Sequence, residues 1–143
     1  VRPLLECFAE NIAHAGPVGA GHTLKLLHNF VSLGFTAVLA EAAAASRRAG
    51  IDDAALLDVL GKGGGGGVVL ERLRPYIEAD DPSGFRFSVA NALKDIGYYR
   101  TMTEDLAAEH GVAEAVLTLY RQASDAGHAE RPVPELISLL EGK

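Results

Sequence analysis

The sequence contains very little cysteine and few basic residues. Cys7 is the only thiol among 143 residues, which excludes an internal disulfide and a cysteine-based metal cage. We expect it to be a small, buried, apolar residue. The 13 Lys and Arg residues are scattered and are outnumbered by 19 Asp and Glu, for a net charge of −6. Because no basic stripe is available to neutralise phosphates, nucleic acid is not the expected partner.

Long apolar runs are also missing. Ser32, Gly34, Thr36 and Glu41 interrupt the alanine-rich stretch at 30–45, which falls short of the roughly 18 apolar residues that a membrane span requires. No basic patch followed by an apolar run marks the N-terminus as a signal peptide. We therefore expect a cytoplasmic protein without a membrane partner.

No segment shows the alternation of apolar and polar residues that indicates a strand, and helical spacing prevails instead. Gly50 follows Arg47 and Arg48, a combination typical of a helix C-terminus. Before it, apolar residues recur every three or four positions: Leu24, Leu27, Val31, Phe35, Val38, Ala42 and Ala45. The pattern predicts a helix of about 28 residues in a buried, central position. The predicted fold class is all-α, a multi-helix domain around one long central helix.

Further helices are predicted along the rest of the chain. Gly111 and Gly127 are expected stops, and Ser88 is an expected N-cap. The predicted helices run from Asp52 or Asp53 to Leu60, from Val68 to Ile77, from Ser88 to about His110, from Ala113 to Ala126, and through a final short helix with Pro134 in its first turn. Residues 1–15 are typical of the tail of a preceding domain, so that 16–143 form the helical domain.

The most informative pattern lies at the start of the long helix. Gly19 and Gly21 precede Lys25, and Asn29 follows Lys25 by one helical turn, so both side chains lie on one face. A glycine-edged helix start lets a small ligand approach unpaired N–H donors. The positive end of a helix disfavours an ammonium ion, which makes Lys25 a candidate for proton transfer. An ordinary surface lysine and an asparagine bound to neighbouring backbone are the alternatives.

Other conspicuous residues carry weaker signals. His22 and His28 lack the four-residue spacing of a metal-binding pair and a companion carboxylate, so we interpret them as structural and predict no metal. The glycine run at 63–67 meets neither nucleotide-binding fingerprint and predicts a flexible loop that could line a ligand cleft. Lys94 and Asp95 by themselves could be a solvated surface pair.

Two segments resemble a known family. Gly16-Pro17-Val18-Gly19-Ala20-Gly21 with Lys25, Asn29 and Glu41 resembles the catalytic segment of the β-hydroxyacid dehydrogenases, which include 3-hydroxyisobutyrate dehydrogenase and, more distantly, 6-phosphogluconate dehydrogenase. The later Phe87, Leu93, Lys94, Asp95 and Ile96 resemble the family's second signature. The two motifs occur in the family's order and together extend over nearly the whole chain.

The resemblance implies an all-helical C-terminal domain that follows a Rossmann domain for NAD or NADP. It implies Lys25 as catalytic acid/base, Gly19, Gly21 and Asn29 as substrate-binding residues, Lys94 near the cofactor and Asp95 as support for helix packing. The implied substrate is a small β-hydroxyacid or semialdehyde. The chain departs from the family because it lacks a Gly-x-Gly-x-x-Gly cofactor domain, so we expect it to be inactive alone. Its glycine run is also denser than the family pattern.

Two further expectations complete the sequence-based prediction. The long alanine-rich helix has more apolar surface than a domain of this size readily buries, which favours a homodimer. The alternatives to a dehydrogenase domain are a non-catalytic helical binding or assembly module and a relative of the imine reductases. The presence of Lys25 counts against the latter, because imine reductases generally lack the lysine.

Overall fold

Seven α-helices and no β-strand make up the described part of the computed structural model, which is residues 2–142. The predicted all-α class around one long helix is confirmed. The helices are α1 (Arg2–Leu5), α2 (Ala20–Arg48), α3 (Asp53–Lys62), α4 (Val68–Ala79), α5 (Val89–Asp105), α6 (Gly111–Ala123) and α7 (Leu136–Glu141).

Helix α2 is the centre of the fold. It has 29 residues and begins after Gly19, whose φ of +97° is a left-handed conformation that favours glycine. Helices α3 to α7 all contact it. By length and composition alone α2 could cross a membrane, but in this fold it is the helix on which the domain core is assembled.

The apolar stripe by which the sequence predicts α2 is not the buried face of that helix. Leu24, Leu27, Val31 and Val38 are all exposed. The buried face is rotated away from this stripe and consists largely of small residues, among them Ala37, Ala40, Ala43 and Ala44, with Leu26, Leu33 and Leu39. The small side chains let the neighbouring helices approach α2 closely, while the predicted stripe remains at the surface.

Caps and stops explain most helix boundaries, with one correction. The Asp52 carboxylate accepts from the N–H of Ala55, and the Ser88 hydroxyl accepts from the N–H of Asn91, so both predicted N-caps are present. The second long helix ends at Asp105, however, and not near His110. Ala107 adopts a left-handed φ of +50°, and the N–H of Ala108 donates to Thr103 O at 2.8 Å, which closes the helix early.

Of the two predicted glycine stops, one has a different role. Gly111 is the first residue of α6 and not a stop. The α-helical part of α6 ends at Ala123 and continues as a π-helical turn over Ser124–His128. Gly127, with a φ of +91°, interrupts the helical backbone there, as predicted. The turn leads to a 3-10 segment, Val133–Glu135, and then to α7.

The N-terminal segment lies apart from the core. No residue of α1 is buried, and Cys7 is exposed, with its thiol 3.4 Å from Pro3 O. The prediction of a buried Cys7 is therefore wrong, because no element packs over this segment. The role of residues 1–15 as a domain tail stays a prediction, and Val1 and Lys143 lie outside the described residues.

Polar contacts at two places hold α2 in the fold. The Tyr120 hydroxyl, in the core, donates to Leu33 O at 2.9 Å, and burial raises the pKa of Tyr120 above its usual value. At the other end, Arg47 forms an ion pair with Asp53 at 3.1 Å and lies 3.6 Å from both Asp80 and Glu141. Burial by itself would lower the pKa of Arg47, but Asp53 and then the other two carboxylates raise it above the ordinary value.

Candidate active site

The site predicted from the sequence begins at the N-terminus of α2, which is open. No atom lies within 4 Å of the position that a Cβ at Gly19 or Gly21 would occupy. The N–H of Ala20 donates to Pro17 O and that of Thr23 to Gly19 O. Within residues 2–142 the N–H groups of Gly21 and His22 have no acceptor. The helix start therefore presents free backbone donors beside a surface that a small molecule can reach.

Lys25 and Asn29 differ in their surroundings although they share a helix face. The Lys25 side chain is exposed and has no ion pair or hydrogen bond within the described part of the chain. Asn29 is half-buried, and its amide Nδ2 donates to Asp95 Oδ2 at 2.8 Å. The amide Oδ1 lies 3.2 Å from His28 Nδ1. Asn29 is thus fixed by its neighbours, while Lys25 is free to meet a ligand.

Helix α5 supplies the second motif to the same place. Asp95 is buried and accepts the hydrogen bond from Asn29, and its Oδ1 is 3.7 Å from Lys94 Nζ. Lys94 is exposed and also donates to Asn91 Oδ1 at 3.3 Å. The fold thus links Asn29, Asp95 and Lys94, although 66 positions separate Asn29 from Asp95.

Aromatic stacking fixes the two helices close to this contact. The rings of Phe30 on α2 and Tyr99 on α5 are stacked, with centroids 4.1 Å apart and planes within 8°. Phe30 is adjacent to Asn29, and Tyr99 is one helical turn beyond Asp95, so the stack and the hydrogen bond reinforce each other. We infer that the position of Asn29 relative to α5 is set by both.

A small cavity continues the Lys25 and Asn29 face toward α4. It has a volume of about 180 Å³ and is lined by His28, Asn29, Ser32 and Leu33 of α2, by Arg72 of α4 and by Phe85 and Phe87. Ser32 could have been found from the sequence, because it follows Asn29 by three residues on a helix. No sequence signal separates Arg72 from the other arginines, and only the fold brings it here.

Two open clefts flank the site on other sides. One, of about 590 Å³, is lined by residues that include Arg86, Ser88 and Asn91, the residue that binds Lys94. The other, of about 570 Å³, lies between the start of α2 and α5 and includes His22 and Tyr98. His22 and His28 therefore face different cavities. Over residues 2–142, no three His, Cys, Asp or Glu side chains are grouped closely enough to hold a metal ion.

Comparison with known proteins agrees with the family resemblance. A family model described as the NAD-binding domain of NADP-dependent 3-hydroxyisobutyrate dehydrogenase matches residues 19–140. The NAD-dependent L-serine dehydrogenase of Pseudomonas aeruginosa is 30% identical over 136 residues, which are 91% of this chain and 46% of that protein. The 3-hydroxyisobutyrate dehydrogenase of the same organism is 30% identical over 151 aligned residues, covering 99% of this chain and 50% of that protein.

Solved structures show the same likeness in three dimensions. A crystal structure of 3-hydroxyisobutyrate dehydrogenase from Salmonella typhimurium superposes with a TM-score of 0.86 at 27% identity, covering 96% of this chain and 48% of that one. The Mycobacterium tuberculosis 3-hydroxyisobutyrate dehydrogenase solved with L-serine gives a TM-score of 0.83 at 26% identity, covering 97% and 50%. The chain spans about half the length of these relatives. It belongs to the 3-hydroxyisobutyrate dehydrogenase family of β-hydroxyacid dehydrogenases.

Proposed function

We propose that this chain is the substrate-binding and subunit-contact half of a cytoplasmic β-hydroxyacid dehydrogenase or semialdehyde reductase, and that it is inactive alone. The observation that carries the proposal is the hydrogen bond from Asn29 to Asp95, which joins the two family motifs at one site beside the exposed Lys25. The family assignment supports NAD or NADP as the cofactor. The substrate is a small β-hydroxyacid or the corresponding semialdehyde.

Lys25 is the proposed acid/base. When a hydroxyl is oxidised, the neutral amine takes the O–H proton as the carbonyl forms, and in the reverse reaction the ammonium returns that proton to the oxygen. One feature supports this role: no carboxylate among residues 2–142 pairs with the Lys25 side chain. Lys25 is the sixth residue of α2 and lies beyond the first turn, where the helix dipole would act on it. Asn29 lies one turn away and orients the substrate through its amide.

The residues near Lys94 fit a dinucleotide. Bound NAD or NADP supplies the hydride acceptor or donor that the reaction requires. Lys94 offers an exposed ammonium next to the 590 Å³ cleft, whose lining combines two carboxylates, Asp81 and Glu130, with the donors Arg86, Ser88 and Asn91. Such a donor set is suited to phosphate oxygens. In the proposal Lys94 lies against the cofactor, and Asp95 fixes the positions of Asn29 and Lys94 relative to each other.

The decisive experiment removes the Lys25 amine from the full-length protein. Lys25→Ala is expected to lower kcat for oxidation of a β-hydroxyacid by about 10²- to 10⁴-fold, the usual contribution of a positioned acid/base. Added methylamine should restore part of the lost rate, since it replaces the missing proton acceptor. The matched control is Lys62→Ala, which removes an exposed lysine that pairs with Asp58 on α3. Full activity in Lys25→Ala would refute the proposal and favour the non-catalytic binding or assembly module.

The exposed stripe on α2 supports the homodimer. Leu24, Leu27, Val31 and Val38 are between 40% and 65% exposed and follow one another along the helix. Contiguous apolar surface of this kind is typical of an interface. Val38→Arg in the full-length protein is expected to yield monomers in sedimentation, whereas Val112→Arg, on the exposed side of α6, leaves the dimer intact. A wild-type protein that sediments only as a monomer at high concentration would contradict this part of the proposal.

A further inference from the structure

The cavity beside Asn29 has a cationic wall and no acidic residue in its lining. Arg72 and His28 are its basic residues, and Asn29 and Ser32 are its neutral polar residues. The rest of the lining is apolar. Asp95, the nearest carboxylate along the hydrogen-bonded chain, does not line the cavity and is already bound to Asn29. The electrostatic character of this space therefore favours a negatively charged group.

Arg72 differs from the arginine two positions later on the same helix. Arg74 binds Glu71 through two hydrogen bonds of 2.8 and 2.9 Å and lies 3.4 Å from Glu78. Within residues 2–142, Arg72 has neither an ion pair nor a hydrogen bond from its side chain. The acidic residues of α4 thus neutralise Arg74 and leave the guanidinium of Arg72 available.

Phe85 orients that guanidinium. The Arg72 Cζ lies 5.4 Å from the centre of the Phe85 ring, within the range of a cation–π contact. The loop that carries the ring approaches α4 closely at Gly84, where an added Cβ would lie only 2.5 Å from Arg72 O. An arginine held in position by a ring loses less side-chain entropy when it binds an anion.

The cavity is small. Its volume of about 180 Å³ is below the roughly 300–1,000 Å³ typical of pockets for drug-sized ligands. A short acid fits this space better than a nucleotide does. Arginine recognises a carboxylate through two parallel hydrogen bonds, which a planar guanidinium favours.

We propose that Arg72 binds a second carboxylate of the substrate, remote from the carbon whose oxygen Lys25 serves. The substrate class is then the short β-hydroxy dicarboxylates and the matching semialdehydes. Arg72 acts as a specificity-determining residue, while Lys25 and Asn29 hold the reacting end. This inference rests on the proposed function for the placement of the reacting end, but binding at Arg72 can be measured without any turnover.

The test compares two acids that differ by one carboxylate. Hydroxymethylsuccinate is 3-hydroxyisobutyrate with its methyl group replaced by carboxymethyl. Calorimetry on the full-length protein with reduced cofactor, which cannot accept a hydride, measures the Kd of each acid. The variants are Arg72→Met, Arg72→Lys and the control Arg74→Met, which removes the same charge from outside the cavity.

The wild type is expected to bind the dicarboxylate more tightly than the monocarboxylate. Arg72→Met should raise the Kd of the dicarboxylate by about tenfold to a hundredfold, the range for a hydrogen bond to a charged group, and should change that of the monocarboxylate less than threefold. Arg72→Lys should be intermediate, and Arg74→Met should resemble the wild type. Equal losses in the two methionine variants, or no preference for the dicarboxylate, would overturn the inference.

Two further binding experiments test whether Arg72 binds the cofactor or a phosphate group instead of a carboxylate. Kd values for NADH and NADPH should be unchanged in Arg72→Met. A loss of cofactor affinity without a loss of affinity for the dicarboxylate would show that Arg72 binds the cofactor, and would overturn the inference. A phosphate ester of the same length that binds more tightly through Arg72 than hydroxymethylsuccinate does would overturn the assignment to dicarboxylates. Arg72-dependent binding without oxidation of either acid would instead refute the proposed function and leave the anion site in place.

Discussion

The contact between Asn29 and Asp95 is the link on which the site depends, and a double-mutant cycle can measure its strength. The Asn29 amide donates to a buried carboxylate at 2.8 Å and joins the start of α2 to α5. The cycle consists of Asn29→Ala, Asp95→Ala, the double variant and the wild type. The coupling free energy isolates the pair only if neither single variant gains new contacts.

The expected magnitude follows from the burial of the two partners. A hydrogen bond to a charged group contributes about 1.5–3 kcal/mol. Water can reach the half-buried Asn29, so we expect a coupling energy near the lower limit, about 1.5 kcal/mol. Asn29→Ala should cost more, about 2 kcal/mol, because it leaves a buried carboxylate without its donor. Lys94, at 3.7 Å from the other carboxylate oxygen, keeps this cost from being larger.

Urea unfolding of the chain provides the assay. With a slope of about 2 kcal/mol per M for a domain of this size, Asn29→Ala should lower the midpoint by about 1 M. Asp95→Asn, which keeps an oxygen acceptor and removes the charge, should fall between Asp95→Ala and the wild type. A coupling energy below about 0.5 kcal/mol would be within the range of independent sites, and would refute the idea that this bond positions Asn29.

Two other predictions test the core and the wall of the cavity. Tyr120→Phe should lower stability by about 1–2 kcal/mol near neutral pH, because Leu33 O loses its donor. Burial raises the pKa of Tyr120, so above a pH of about 10 the unfolded chain releases this proton first and the wild type loses stability. The difference in free energy of unfolding between the wild type and Tyr120→Phe, measured by urea unfolding from about pH 8 to 11, should therefore become smaller. A constant difference would contradict the role of burial. Gly84→Ala should destabilise the chain by about 1–3 kcal/mol, because the added Cβ overlaps Arg72 O. The control is Gly97→Ala, whose Cβ position has no neighbouring atom within 4 Å. It should stabilise helix α5 slightly in thermal melts.

The sequence predicts the helices better than the turns between them. The caps at Asp52 and Ser88 depend on local hydrogen bonds, which a sequence pattern captures. The early end of α5 depends on Ala107 in a left-handed conformation, for which alanine gives no signal. A glycine at 111 suggested a stop, but here it begins a helix that packs against α5. Tertiary packing, and not local preference, decides that boundary.

The residues of the candidate site also differ in how far the sequence alone predicts their positions. Lys25 and Asn29 share a helix, so their spacing alone places them on one face. The contact between Asn29 and Asp95 needs the fold, although family resemblance singles out both residues. Arg72 has no local signal at all, because what distinguishes it from Arg74 is which carboxylates lie within reach. That information belongs to the arrangement of side chains on α4 and the loop beyond it.

The two faces of α2 show why the apolar pattern identified the helix but not its environment. Both faces are apolar, so hydrophobic spacing fits either one. The alanine face is buried because neighbouring helices can approach small side chains closely. The face with Leu24, Leu27, Val31 and Val38 lacks this run of buried alanines and is exposed. It includes Leu24 and Leu27, on either side of Lys25. A partner that covers this face would exclude water from the surroundings of Lys25 and restrict the positions that its side chain can adopt. We therefore expect assembly and catalysis to be coupled at α2, so that Leu27→Ser, next to the site but outside the charged groups, lowers kcat in the full-length protein. An unchanged kcat in a Leu27→Ser variant whose assembly is weakened in sedimentation would separate the two roles.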